Sequence, residues 1–184
     1  MKKTQILVIA SIAIVLTFGL IGCDSDDDNN SSTEPGFTIA FTPDTYSPPD
    51  NSVYIDFVSS SGTELVFDIK AKKVTDVYGV AFALHFDQSI FNYVASSEGD
   101  FFDSAGGNTT YLAITGTNVV TVGISLMGSE TVPASGSGTL CRMIFEPVEA
   151  GQSHFNYREN RLLDNAGQER PDVQWFGGLG IVVN

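Results

Sequence analysis

The sequence predicts an all-β sandwich or barrel. From Phe37 onward, apolar and polar residues alternate in short runs, and turn residues recur about every 8–12 positions. No stretch of that region keeps a helical period. Thirteen phenylalanines and 42% apolar residues suffice for one core, each fully buried Phe or Leu contributing roughly 1.5–3 kcal/mol.

The chain begins with a different signal. Lys2 and Lys3 precede an apolar run from Ile6 to Leu20, with small residues after it, which is the layout of a secretory signal. Leu20-Ile21-Gly22-Cys23 resembles a bacterial lipobox, in which the cysteine thiol is diacylated and the peptide is cut just before it. That resemblance makes residues 1–22 a signal peptide and Cys23 the lipid-bearing residue. The alternative is a retained membrane helix, although the run falls short of the roughly 20 residues a bilayer needs. Residues 23–36 are acidic, polar and of low complexity. Such a segment buries too little surface to offset its ordering entropy, so it reads as a disordered tether. Its aspartates lack the EF-hand order of ligands, central Gly and terminal Glu. The acidic run resembles surface-export signals of some bacterial lipoproteins, whereas Asp24 directly after the cysteine resembles an inner-membrane retention signal. The two signals conflict, and the localisation expected is a bacterial cell envelope, lipid-anchored and extracytoplasmic, at the outer membrane or cell surface in preference to the inner membrane.

Removing residues 1–22 takes two lysines and no acid, leaving seven basic against 22 acidic residues, or −15. This charge repels nucleic acid and anionic headgroups, so nucleic-acid binding is excluded and membrane contact runs through the lipid alone.

The domain at 37–184 then reads as about nine strands. Residues 53–58 follow the Pro48-Pro49-Asp50-Asn51 turn. Residues 63–73 alternate Leu65, Phe67, Ile69 and Ala71 against Glu64, Asp68 and Lys70. Residues 77–86 turn Val80, Phe82, Leu84 and Phe86 inward and Gly79, Ala81, Ala83 and His85 outward. Asp87 suits an Asx-turn at Asp87-Gln88-Ser89. Strands at 90–95, 110–115 and 119–126 follow, the last with Val120, Val122, Ile124 and Leu126 inward. The remaining strands are 138–148, 154–157 and 178–183. Cys141 shares a strand face with Met143 and Phe145 and reads as a small buried hydrophobe. With Cys23 lipidated it has no disulfide partner, and no Cys/His metal spacing occurs.

Motifs for chemistry are missing. His85 and His154 are the two histidines, with no metal-ligand spacing between them. Gly123-Ile124-Ser125-Leu126-Met127-Gly128 has the wrong spacing for a nucleophile elbow. Gly136-Ser137-Gly138 precedes no helix that could present its N-terminus to phosphate. The acid pairs Glu98/Asp100 and Asp164/Glu169 sit in loops with no apolar pocket to raise one pKa. Asp100, Asp103 and Asp164 could hold a structural calcium, yet no spacing demands it. The reading assigns no catalytic residue, metal or cofactor.

Three segments together resemble the cohesin family, the jelly-roll modules that capture dockerins in cellulosomes. They are Asp76 through Phe91 leading towards Gly99; Gly138-Thr139-Leu140 through Ile144-Phe145 to Gly151; and Leu163-Asp164-Asn165-Ala166-Gly167 followed by Gly177 to Val183. The resemblance covers about residues 52–184 and implies a jelly-roll β-sandwich that does no chemistry. It further implies a flat sheet face offered to the helices of a calcium-loaded dockerin. Carried over by position, that face comprises Gly79, Ala81, Ala83 and His85 on one strand. Thr121, Gly123 and Ser125 lie on its neighbour, with Leu126, Met127, Gly128 and Ser129 at the neighbour's end. The pattern departs from well-known dockerin binders, which carry Asn and Asp at the positions of Gly79 and Ala81 and an acid at that of Leu126. The expected role is a non-enzymatic envelope lipoprotein that binds a protein partner in polysaccharide breakdown or surface assembly. Two alternatives stay open: a carbohydrate-binding module, and an adhesion or assembly part unrelated to dockerins. A sugar platform would draw on Trp175, Tyr78, Tyr93, Tyr111 and Tyr157, although the family pattern puts Trp175 over the edge of the core. The smooth face also has two readings, a partner site or a surface covered by residues 37–46 of the same chain.

Overall fold

In a computed structural model, residues 36–128 and 132–184 are described; Cys23, the signal, nearly all of the tether and Ser129 lie outside them. The described residues form eleven strands: β1 Thr38–Pro43, β2 Ser52–Ser60, β3 Leu65–Val77, β4 Gly79–His85, β5 Phe91–Glu98, β6 Asn108–Gly116, β7 Val119–Met127, β8 Ala134–Pro147, β9 Gly151–Leu163, β10 Gln174–Phe176 and β11 Gly178–Val183. One 3-10 turn, Asp103–Ala105, interrupts them. The fold is a two-sheet sandwich, with a six-stranded sheet in the order β1-β11-β9-β4-β7-β6 and a five-stranded sheet in the order β10-β2-β3-β8-β5.

The core sits between the sheets because every long strand turns one face of large apolar side chains inward. Phe155 on β9 is its hub, with its ring centroid 5.2 Å from that of Phe67 on β3, 5.1 Å from Phe145 on β8 and 5.4 Å from Phe91 on β5. The edge-on and tilted geometries of these pairs match the quadrupole preference of aromatic rings. Gly180 makes this packing possible. A Cβ there would lie 2.8 Å from the Phe91 ring and 2.9 Å from that of Phe155, so β11 passes the ring cluster only as bare backbone.

The alternation predicted for 63–73 and 77–86 holds. Leu65, Phe67, Ile69 and Ala71 are buried, as are Val80, Phe82, Leu84 and Phe86. Cys141, Met143 and Phe145 are likewise fully buried together. Two strands beyond the expected number appear. β10 has only three residues and pairs parallel to β2, too short for alternation to register. β1 pairs along its whole length with β11, from Thr38 opposite Val183 to Pro43 opposite Gly178. The segment at 37–46 therefore does not cover the smooth face: its strand is the edge of the same sheet, separated from β4 by β11 and β9.

Candidate functional site

The predicted face is a set of cross-strand rows. β4 lies between β7 and β9, and β6 closes the sheet beyond β7. Opposed residues in an antiparallel ladder point to the same side, so the register defines the rows. One row is Thr110–Ser125–Gly79–Leu163, the next is Leu112–Gly123–Ala81–Arg161, and the third is Ile114–Thr121–Ala83–Arg158. His85 continues the face opposite Val119 and Asn156.

The strand pattern thus brings Gly79, Ala81, Ala83, His85, Thr121, Gly123 and Ser125 together on one surface. Met127 joins them at the end of β7, opposite Asn108 and 55% exposed. Leu126 does not. It is 3% exposed and belongs to the core, because successive strand residues alternate sides and Ser125 and Met127 both point outward. Gly79 and Ala83 are themselves buried, since larger side chains stand on either side of them.

Two residues that the strand reading did not single out complete the surface. Leu112 and Ile114 on β6 are each 55% exposed. Their signal was present in Thr110-Tyr111-Leu112-Ala113-Ile114, where both sides of the strand are apolar. Tyr111 faces inward, and its hydroxyl donates to Ser96 Oγ across the edge of the sandwich. The outward pair has no such packing.

Small residues on β4 and β7 lie between larger ones on β6 and β9, and the result is a trough. A hollow of about 320 Å³ is lined by Gly79, Ala81, Thr110, Leu112, Gly123 and Ser125. A second, of about 350 Å³, is lined by Ala81, Ala83, Thr121, Glu159, Arg161 and Leu163. They share Ala81 and Leu163 in their linings. Three strand spacings separate the backbones of β6 and β9, about 14 Å at about 4.8 Å each.

The other candidates take structural places. Asp100 accepts a hydrogen bond from the Thr139 backbone N–H at 2.7 Å. Asp164 accepts from the N–H groups of Ala166 and Gln168 at 2.9 and 2.8 Å. Glu98 lines a hollow of about 230 Å³ with Asp68, Ser97 and Arg142, where Arg142 grips Asp68 through Nε and Nη2 at 2.8 and 3.2 Å. Trp175 packs over the core edge as expected, its ring centroid 5.1 Å from Tyr157 and 6.0 Å from Phe82. Tyr93 and Tyr111 share Ser96, and Tyr78 donates to the Gly128 carbonyl. These aromatics do not form a coplanar stripe. Burial pushes the Cys141 thiol far above its usual range, which makes it a packing group rather than a nucleophile. Among the described residues, no group of three His, Cys, Asp or Glu is placed to hold a metal.

No protein-family model matches this sequence, and neither does a curated protein. Solved structures do. A type II cohesin domain from the cellulosome of Acetivibrio cellulolyticus superposes with a TM-score of 0.61 at 15% identity, over 74% of this chain and 96% of that one. A non-cellulosomal cohesin from the archaeon Archaeoglobus fulgidus gives 0.51 at 16% identity, over 71% and 80%. A cohesin from Clostridium thermocellum, crystallised as a type I cohesin–dockerin complex, gives 0.53 at 17% identity, over 69% and 95%. The chain has a cohesin-like fold.

Proposed function

We propose that this protein is a non-catalytic binding module whose cohesin-like domain captures a dockerin-type protein partner on the outer face of β9-β4-β7-β6. In this proposal Cys23 carries the lipid that holds it at the cell envelope, where it recruits or displays components for polysaccharide breakdown or surface assembly. The observation that carries the reading is the trough: a floor of Gly79, Ala81, Ala83 and Gly123 beside the exposed side chains of Leu112 and Ile114. An apolar surface of this kind, ringed by polar residues, suits a protein interface better than bare solvation. Solved cohesins crystallised with dockerins support the choice of partner class. The departures at Gly79 and Ala81 fit a contact made through shape and apolar area in place of buried charge-assisted pairs.

The test is capture from the source organism's secretome by the mature chain, with and without a calcium chelator, beside Ala81→Arg. Calcium-dependent recovery of a dockerin-bearing protein, lost in the variant at unchanged melting temperature, supports the reading. Recovery of none in either condition, with binding on a glycan array, replaces it with a carbohydrate-binding role.

A further inference from the structure

The strand flanking the trough carries a charge arrangement that specifies the occupant further. Seven basic residues lie in the described part of the chain. Lys70 pairs with Asp56 at 2.7 Å, Lys73 with Asp50 at 3.0 Å, Arg142 with Asp68 at 2.8 Å and Arg170 with Asp172 at 3.4 Å. Lys72 donates to the Pro48 carbonyl. Arg158 and Arg161 are left; among the described residues neither has an ion pair, although acids outnumber bases 22 to 9 in the chain.

These two arginines stand side by side on the trough, and it takes a defect in the ladder to put them there. Residues three apart on a regular strand point to opposite faces. In β9 the register slips between Ala83 opposite Arg158 and Ala81 opposite Arg161, and Glu159 takes a left-handed φ of 51°. This bulge adds one residue and returns Arg161 to the outer side, the re-aiming that bulges perform near functional sites. Tyr157 and Leu162, opposite Leu84 and Val80, stay on the inner side. Arg158 and Arg161 then flank Ala83 and Ala81, roughly 7 Å apart along the strand at two residue rises. Glu159 between them pairs with neither.

We infer that the occupant of this face is an acidic protein segment. It seats an apolar side chain over Gly123 and Ala81, against Leu112, and presents carboxylates to Arg158 and Arg161. The inference rests on the partner-binding reading and deepens it by fixing the sign of the partner's charge. Arginine suits this task because its planar fork takes a carboxylate in bidentate fashion.

The experiment uses the mature chain labelled with 15N and three synthetic helical peptides with one leucine stripe, flanked by Glu, Gln or Lys. Shifts of the Gly123, Ala81 and Ala83 amides report occupancy down to weak binding. The Glu peptide is expected to shift these amides and to bind about tenfold or more tighter than the Gln peptide. Arg158→Gln with Arg161→Gln should abolish that difference while leaving the melting temperature unchanged, because both side chains are exposed. The Glu-over-Gln preference should also shrink as salt is raised. Equal shifts from the Glu and Gln peptides would overturn the charge inference and leave the trough as an apolar partner site. A silent face with all three peptides would overturn the inference, and the Ala81→Arg capture assay then decides separately whether the partner reading survives. Two further outcomes would also overturn it. Amide shifts that grow with protein concentration alone identify a second copy as the occupant. Shifts that change when Asp24, Asp26, Asp27 and Asp28 are replaced by Asn identify the chain's own acidic segment.

Discussion

If the trough is kept open for a partner, filling it should make the isolated protein more stable. Gly123 sits mid-strand in β7 with ordinary extended backbone, and a Cβ built there meets nothing within 4 Å. Glycine in a strand interior is destabilising by roughly 0.5–1 kcal/mol through the entropy it loses on folding. A valine also fits the pleated surface and gains a cross-strand contact with Leu112, worth roughly 0.2–1 kcal/mol. Gly123→Val is therefore expected to stabilise the domain by about 1 kcal/mol, raising Tm by about 2–4 °C. Calorimetric or circular-dichroism melts of the protein measure this, and urea unfolding should show a higher midpoint at constant m. Gly180→Ala is the control with opposite sign. Its new methyl collides with Phe91 and Phe155, and overpacking of this kind costs about 1–3 kcal/mol. The same Gly123→Val protein should lose its partner, because the side chain fills the hollow shared with Ala81 and Leu112. A lower Tm for Gly123→Val would refute the reasoning, since the glycine would then be required by packing. A higher Tm with partner capture intact would instead clear the trough of any binding role.

Alkaline pH should destabilise the domain. Burial raises the Cys141 thiol, the Tyr157 and Tyr111 phenols and the Tyr54 phenol, and the hydrogen bond to Asp56 raises Lys70. Each folded pKa lies above its unfolded value, so this stability is fully present below the ordinary thiol value of 9.0 and is lost as pH climbs above it. Melts from neutral to about pH 11 should show Tm falling through that window, with phenolate absorbance of Tyr111 and Tyr157 appearing only on unfolding; a flat Tm would contradict the burial argument. The Asp68–Arg142 pair should respond asymmetrically, because the Asp68 side chain is 8% exposed and that of Arg142 50%. Arg142→Met strands a buried carboxylate and should lower Tm more than Asp68→Asn, which leaves an exposed guanidinium to water; the reverse order in thermal melts would count against it. Cys23→Ser should move the protein from the membrane fraction to the soluble fraction in cell fractionation, and continued membrane retention would remove the lipid-anchor reading.

What the sequence makes legible follows from what a two-residue period can encode. Alternation around Phe82, Leu84 and Phe86 gives the inner face of β4, and the same period gives Ala81 and His85 their outer side without knowledge of any neighbour. It also rules Leu126 out of the outer face, since a residue between two outward ones points inward, whatever position the family resemblance implies for it. Strand order is not encoded locally. Nothing within 37–46 distinguishes a strap over the face from an edge strand on β11, because Ile39 and Phe41 serve either arrangement; the pairing with 178–183 decides it through long-range contacts.

Bulges defeat the period altogether. Read with strict alternation, Arg158 and Arg161 fall on opposite faces, and no residue type at Glu159 announces a left-handed backbone. The register slip in β9, one of several in the two sheets, has a physical consequence here. A regular β9 would bury one of the two arginines against the core or shift Leu162 out of it. The chain instead keeps Tyr157 and Leu162 inside while holding outside two cations that have no ion pair among the described residues, next to a floor of glycine and alanine. Neither the bare floor nor the unmatched charge improves the stability of the isolated domain, and both lie on the same few rows of one sheet. Their coincidence, more than the smoothness of the face, is the reason to look for a second molecule there.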